Sequence, residues 1–272
     1  MAEPGFAESQ WNSFCSNVIA DWDGAWTFWD PHTGSITSSF NCVRSFKALN
    51  EEKSIIIHDN IGHPKGAKGP WKIRKEDTDE KGIVHPVYPR ARSVLHANGG
   101  GVWAPIKTSD FDALAFEIFL CHGKHRCSVI LVYDKSNHLS SVGSIRETQA
   151  DSHTPIWTPS EELLGSFPLS WYNKDYFGVE KTFDSNLQLS SICDCKWDKN
   201  YWLQSQESSE KILFKFLPDS ICLSCPSQLS PNSAFSLCAC ALFPNGDDKE
   251  LQELTLRYAD GQLHSVKQGL YH

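Results

Sequence analysis

The chain has 272 residues, of which 40% are hydrophobic and 12% aromatic, enough for one large core or two smaller ones. Its formal net charge of -8 argues against broad contact with nucleic acid or an anionic membrane, since such surfaces need clustered Lys and Arg. No apolar run approaches the ~18 to 20 residues that cross a bilayer, and the N-terminus lacks the features of a secretory signal. We therefore expect an intracellular protein that is cytoplasmic, or plastid if a transit peptide has been removed.

The first predicted element is an amphipathic helix over residues 9–20, "SQWNSFCSNVIA". Its apolar residues recur at i, i+3, i+4, i+7 and i+8, the spacing of one helix face. These residues are Trp11, Phe14, Cys15, Val18 and Ile19. Ser9 stands where an N-cap is expected. After this segment, helical periodicity nearly disappears.

The chain then continues as short apolar runs separated by turn-forming loops, a pattern typical of β-strands. Strands of the first half are predicted at residues 24–29, 36–46, 53–61, 69–75, 82–87, 91–97, 101–106, 113–121, 125–133 and 138–147. No crossover helices separate them, so they predict an antiparallel meander. Because closure of such a sheet removes both exposed edges, an up-and-down barrel is the simplest arrangement.

A connecting segment follows over residues 148–162, where two prolines interrupt any period. We place the first domain at 1–150, the linker at 151–162 and the second domain at 163–272. Strands of the second half are predicted at 163–171, 176–183, 186–195, 199–204, 210–216, 220–223, 233–242, 251–258 and 262–270.

The two halves end in similar hairpins, "RCSVILVYDKSNHLSSVGSIRE" at 126–147 and "LQELTLRYADGQLHSVKQGLY" at 251–271. In each, an apolar strand ends in Tyr133 or Tyr258, and a polar turn leads to Leu-x-Ser-Val. A weaker similarity links "DGAWTFW" with "LGSFPLSW". We interpret this order as an internal duplication.

Gly24-x-Trp26, on the first predicted strand after a short helix, is similar to the entry signature of lipocalin-like barrels. In such an arrangement the aromatic ring closes one end of the barrel, glycine permits close approach, and a basic side chain lies over the indole. Arg146 is the predicted basic partner. The alternative is that Trp26 is an ordinary core residue of another β-sandwich.

The ordered segments "DGAWTFWDPHTG", "SFNCVRSFKALN", "GPWKI", "FEIFLCHGKHRCSVILVYD" and "LPDSICLSCPSQL" resemble a lipocalin-like, calycin-type family of unknown function found in cyanobacteria and plants. The resemblance covers residues 11–272. It implies a mainly β fold, with two fused antiparallel lipocalin-like β-barrels and a short N-terminal helix. It supplies no activity and no catalytic residues.

Three residues are candidates for proton transfer. Glu117 faces into the barrel if its neighbours in "ALAFEIFL" face outward, and a buried carboxylate must be paired or have a raised pKa. If Arg90, Arg92 or Arg126 reaches Glu117, the pair has a structural role instead. His85 ends a strand near a barrel mouth, with a surface histidine as the alternative. Tyr133 offers a hydroxyl on a strand.

Aromatic and basic side chains of the first half are the candidate ligand contacts. They are Trp26, Trp29, Phe46, His58, Arg92, Trp103, Phe119 and Arg146.

The ten cysteines are expected to be reduced thiols, because the chain is neither short nor visibly secreted. Cys193-x-Cys195 would place both sulfurs on one face of a strand, and Cys222-x-x-Cys225 has the spacing of a zinc knuckle. Buried packing and zinc binding are both compatible with these pairs. We assign no metal and no cofactor.

The composition and fold predict a module that binds a small hydrophobic molecule of the isoprenoid, lipid or tetrapyrrole class in an aromatic cavity. The alternative is a cofactor-independent cyclase or isomerase acting in the same cavity, since no nucleophile or nucleotide motif is evident. A third interpretation is a scaffold whose barrels are filled by side chains. No partner protein is predicted.

Overall fold

A computed structural model describes residues 5–64, 69–110, 113–152, 156–203, 212–230, 233–245 and 248–272. The chain is mainly β, with a short N-terminal helix and two antiparallel sheets of ten and seven strands. Among the described helices, none is long and apolar enough to span a membrane.

The first sheet follows the chain as a meander, with the order β4-β3-β2-β1-β10-β9-β8-β7-β6-β5. Its strands are β1 (Asp21–Trp29), β2 (Ile36–Ala48), β3 (Ile55–Ile61), β4 (Trp71–Arg74), β5 (Ile83–Val84), β6 (Ala91–Leu95), β7 (Gly101–Pro105), β8 (Leu114–His122), β9 (His125–Tyr133) and β10 (Leu139–Gln149). The pairing of β1 with β10 brings the first and last strands together and curls the sheet. Ile73 of β4 and Ile83 of β5 belong to one apolar cluster, so the sheet is a nearly closed barrel.

The N-terminal helix α1 (Phe6–Val18) covers one end of this sheet. It buries Trp11 and Phe14 against the sheet interior. Gln10 Nε2 donates to Leu95 O at 2.9 Å, which fixes the helix to β6. The helix begins after Gly5 and no side chain caps it, so the prediction of Ser9 as N-cap is wrong: Ser9 lies one turn inside the helix, where its N–H is bonded to Gly5 O.

The second sheet has the order β12-β11-β17-β16-β15-β14-β13. Its strands are β11 (Phe177–Phe183), β12 (Leu189–Lys196), β13 (Ile212–Leu217), β14 (Ile221–Pro226), β15 (Phe235–Asn245), β16 (Asp248–Ala259) and β17 (Gln262–Tyr271).

Two predicted strands of the second half are wrong. Residues 163–171 form turns with a single bridge from Leu164 to Phe216, because Gly165 and Pro168 interrupt the extended run. Residues Lys199–Leu203 form the short helix α2, which begins after Asp198, whose carboxylate accepts the Asn200 N–H.

The two sheets pack back to back through one apolar cluster. The outward face of β8 and β9 in the first sheet contributes Phe116 and Leu131, and the second sheet contributes Leu223, Leu254 and Val266. Strand alternation explains the division, since every second side chain points to the shared core.

Reciprocal hydrogen bonds cross this interface. Tyr133 Oη donates to Pro226 O at 2.8 Å, and Tyr258 Oη donates to Pro105 O at 2.6 Å. The backbone bonds that repeat the exchange are Leu139 N to Ser227 O and Leu263 N to Ile106 O, both 2.9 Å. The two similar hairpins therefore occupy equivalent positions, which supports the duplication hypothesis.

The described part of the predicted linker is packed against the sheets. Trp157 Nε1 donates to Glu147 O at 2.9 Å, and Trp29 Nε1 donates to Glu161 O at 3.0 Å. The absence of sequence period in this segment thus reflects an irregular path over the first sheet.

Candidate functional site

The interior of the first sheet combines aromatic rings with charged side chains. Alternation along β1 and β2 points Trp26 and Arg44 inward, and β9 and β10 contribute Arg126 and Glu147. Gly24 lies beside Glu147 in the sheet, and a Cβ at Gly24 would lie 2.9 Å from Glu147 Cγ. Glycine in the Gly-x-Trp motif therefore makes room for a buried carboxylate.

Glu147 is fully buried between two arginines. Arg126 Nε donates to Glu147 Oε2 at 2.6 Å, and Arg44 donates to both carboxylate oxygens, with Nε to Oε1 at 2.6 Å. Burial alone would raise the pKa of Glu147, but Arg126 and Arg44 lower it to about 2. The carboxylate is ionised because its charge is paired twice.

Arg44 also connects this ion pair to two other polar side chains of the interior. Its Nη1 donates to Glu117 Oε1 at 2.9 Å, and its Nη2 donates to Ser128 Oγ at 3.0 Å. Glu117 therefore has an arginine partner, but it is Arg44 and not one of the three arginines considered in the sequence. Glu117 retains 20% side-chain exposure, so the pairing leaves it in contact with the cavity.

Aromatic faces cover the two guanidinium groups. Arg126 Cζ lies 4.0 Å from the Trp22 ring centroid, and Arg44 Cζ lies 5.4 Å from that of Trp26. Such contacts stabilise buried cations that are shielded from water. Arg126 is 3% exposed, and its Nη2 has no hydrogen-bond partner in the described part of the chain.

Two cavities open in this interior. The inner one, about 60 Å³, is lined by both arginines and by rings that include Phe46, His58 and Phe119. The outer one, about 380 Å³, is more apolar and is lined by Ile130 and Val132 among others. The residues that line both cavities are His85, Trp103 and Glu117.

His85 is neutral at the boundary between the cavities. Burial lowers its pKa to about 4. Its Nδ1 lies 3.1 Å from the N–H nitrogen of Val87 and 3.0 Å from that of Tyr88, so Nδ1 is the acceptor. The ring proton therefore sits on Nε2, which makes His85 a hydrogen-bond donor.

His58 is also neutral, since burial and then Arg44 lower its pKa to about 3. Its ring stacks on Phe46 with centroids 4.2 Å apart, and its Nε2 bonds Asn60 Oδ1 at 3.2 Å. The Asn60 oxygen accepts, so the proton is on Nε2 here too.

Most of the predicted site residues meet in this interior. Six of them line the inner cavity and Trp26 contacts Arg44. The six are Phe46, His58, His85, Trp103, Glu117 and Phe119.

Four predicted site residues lie elsewhere, because they occupy the outward phase of their strands. Tyr133 and Trp29 belong to the core between the sheets. Arg92 pairs with Asp79, with Nη2 and Oδ2 2.8 Å apart. The prediction that these three contact a ligand in the interior is not supported by their positions.

Arg146, the fourth, does not cover Trp26. It is opposite Ala25 in the sheet, whereas Trp26 is opposite Ile145, so Arg146 points outward. There its Nη1 donates to Asp219 Oδ2 at 2.6 Å. Arg44, from the second strand, takes the position over the indole.

Sequence reasoning missed Arg44 and Glu147, and it considered Arg126 only as a partner of Glu117. A signal was available for Arg44: it is a charged residue inside a predicted strand, two residues before the inward-facing Phe46 and so in the same alternation phase. The inward direction of Arg126 and Glu147 follows once the phase of Trp26 is carried across the paired strands.

A comparison with protein families finds a match between residues 7–152 and the N-terminal domain of unknown function DUF3598. The crystal structure of a DUF3598-family protein of unknown function from Nostoc punctiforme has a similar fold, with a TM-score of 0.65 and 16% identity. The match covers 97% of this chain and 98% of that one. No curated protein sequence matches the chain.

Proposed function

The chain belongs to the DUF3598 family of unknown function, and we propose that its first sheet binds a small, mainly apolar molecule that carries a hydrogen-bond acceptor. The ligand classes that fit are isoprenoids, lipids and tetrapyrroles with a carboxylate or carbonyl group. The observation that carries this proposal is the buried Arg126, with a free donor, beside cavities lined by aromatic rings.

The outer cavity suits the apolar body of such a ligand. Its volume of about 380 Å³ lies within the usual range for small-molecule sites, roughly 300 to 1,000 Å³. Trp103 and Ile130 supply apolar contact, while Glu117 and His85 supply polar groups at the passage to the inner cavity. The acceptor of the ligand would lie toward Arg126, since an unpaired buried donor is costly.

We also propose that both sheets derive from lipocalin-like barrels. The first sheet supports this through its meander order and near closure. For the second sheet, the support is the reciprocal tyrosine contacts of the two hairpins. A duplicated barrel would account for two similar sheets, of which the first binds the ligand and the second packs against it.

Ligand binding is tested on the full chain with three probes: retinoic acid, palmitic acid and biliverdin. Isothermal titration and thermal shift should show saturable binding of at least one. Trp103→Ala should weaken it about tenfold or more, because one aromatic wall is lost. The matched control is Trp171→Ala, at a tryptophan that is 40% exposed in the second half. If none of the probes binds, and no compound from a plant or cyanobacterial lipid extract is retained, the proposal fails.

A cofactor-independent isomerase or cyclase is the second candidate, favoured by His85 and Glu117 lining the same cavities. The Glu117 carboxylate could take a proton from one carbon of the substrate and return it to another, while His85 Nε2–H donates a hydrogen bond to the charge that develops, so an isomerisation balances without an oxidant. Turnover of a bound probe, followed by mass spectrometry or chromatography, should fall at least ~100-fold in His85→Asn and Glu117→Gln. Tyr133→Phe is the control because Tyr133 lies outside the cavities. Unchanged turnover in both variants excludes this chemistry.

A further inference from the structure

Two thiols and a carboxylate converge at the edge of the second sheet. Glu180 of β11 is directly opposite Cys193 of β12, and Cys195 follows two residues later on the same face. The carboxylate oxygen and the two sulfurs all lie within 4.8 Å of one another. Strand register and alternation thus hold three metal-ligating side chains together.

We propose that Glu180, Cys193 and Cys195 bind a thiophilic divalent cation, with Zn²⁺ the best match. Tetrahedral zinc with Zn–S bonds of about 2.3 Å needs sulfurs about 3.8 Å apart, so small side-chain rotations complete the site. Soft thiolates select such ions over Mg²⁺ or Ca²⁺. Cys193 is exposed, so the ion can enter from solvent and water can supply the fourth ligand.

The groups behind Glu180 are arranged as metal sites require. Lys267 Nζ and Tyr271 Oη each donate to Glu180 Oε1 at 2.7 Å, which fixes the carboxylate and leaves Oε2 as a ligand atom. Three anionic ligands around a divalent ion carry a net charge of about -1, and the Lys267 ammonium balances it.

The other clustered cysteines do not offer this arrangement. Cys222 and Cys225 are three residues apart on β14, so they point to opposite faces, and both are buried. Burial raises the pKa of Cys225 to about 12, which keeps its thiol protonated. The zinc-knuckle spacing noted in the sequence is therefore not used by this pair.

Binding would add a link between the edge strand β12 and β11, which the sheet ladder and the bond from Ser190 Oγ to Thr182 O already join. Because metal affinity adds to the stability of the state that binds it, Zn²⁺ should raise the melting temperature. The site lies in the second sheet, away from the cavities of the first, so its test is independent of the proposed ligand binding.

The experiment uses the reduced, metal-free full chain. Titration with Zn²⁺ should give one ion per chain, and Co²⁺ should give thiolate-to-metal charge-transfer absorption. Cys193→Ser and Cys195→Ser should each remove that absorption and weaken Zn²⁺ binding at least ~100-fold, and Glu180→Gln should weaken it at least ~10-fold. Cys15→Ser, at a half-buried thiol of α1, is the matched control and should change neither.

A second measurement needs no variant: Zn²⁺ should protect Cys193 from iodoacetamide, as mapped by mass spectrometry of peptides. The proposal is overturned if the absorption persists in the double serine variant, if Glu180→Gln binds normally, or if Zn²⁺ at micromolar concentration neither binds at one per chain nor protects Cys193.

Discussion

Each of the two sheets buries a glutamate, but the groups that hold the carboxyl differ between them. In the first sheet, Glu147 is ionised between Arg44 and Arg126, next to open cavities. In the second sheet, Glu253 Oε2 accepts from the indoles of Trp197 at 2.8 Å and Trp202 at 3.1 Å. Burial raises the pKa of Glu253, and the two indole donors and the Lys267 ammonium lower it without offsetting the burial.

The residues around the two glutamates also differ. Aromatic rings pack the second interior, and a cavity of about 350 Å³ lies beside them along the edge strand β13. These rings are Phe167, Tyr172, Tyr176, Trp197, Trp202 and Phe216. The first interior instead spaces its rings around guanidinium groups and leaves room for a ligand. The comparison teaches that a covered sheet face does not by itself create a site: packed rings can occupy the space, as the scaffold interpretation expected for both halves.

The variants Glu147→Gln and Glu253→Gln test this difference between the two sheets most directly. Loss of the Glu147 charge leaves the buried Arg126 without its carboxylate and Arg44 with Glu117 alone, and should lower the free energy of unfolding by about 3 to 5 kcal/mol. Glu253→Gln keeps an acceptor for the indoles and should cost about 1 kcal/mol or less. Urea denaturation of both variants measures the difference. Equal losses would contradict the difference between a glutamate held by two arginines and one held by neutral indoles.

The pH dependence of stability tests the first interior through His58. The folded-state pKa of His58 is about 3, so its imidazole stays neutral in the folded protein, while in the unfolded chain it takes up a proton below about pH 6.5. Stability from this residue is therefore full above pH 6.5 and falls with pH toward 3, by up to about 2 kcal/mol between pH 6.5 and 5. His58→Gln should flatten that part of the stability profile, and His264→Gln, at an exposed position of β17, should not. An unchanged slope in His58→Gln would place a charged imidazole in the folded interior.

Tyr133→Phe and Tyr258→Phe test the region that the two halves share. Each removes one bond to a backbone carbonyl across the interface and should cost about 1 to 2 kcal/mol, by nearly equal amounts if the contacts are equivalent. Thermal and urea unfolding give the values, with Tyr88→Phe as a control at an exposed ring. A large effect in one variant alone would count against a symmetric interface.

The strands of the first half could be predicted within a few residues. Residues 125–133 match β9 (His125–Tyr133), and 36–46 lies within β2 (Ile36–Ala48). Alternation of apolar residues depends only on residues close together in the chain, so strands can be predicted from it without knowledge of the fold. The second half was harder, because short irregular segments such as 163–171 carry enough apolar residues to look like strands.

The site could be predicted only where the strand phase was read correctly. Glu117 was assigned to the interior from the alternation around it, and it lines both cavities. Tyr133 and Arg146 do not reach the interior, because each lies one position out of phase with an inward-facing neighbour. Arg44 was missed since its partner Glu147 is 103 residues away in the chain.

By itself, the sequence determined a meander of short strands, a helix at its start and an aromatic Gly-x-Trp segment turned inward, since these depend on neighbouring residues. Only the tertiary structure decided that Glu147 joins two arginines, that aromatic rings pack the second interior, and that Glu180 meets two thiols. Those outcomes depend on which strands become neighbours and in what register, and register is fixed by packing across the whole sheet.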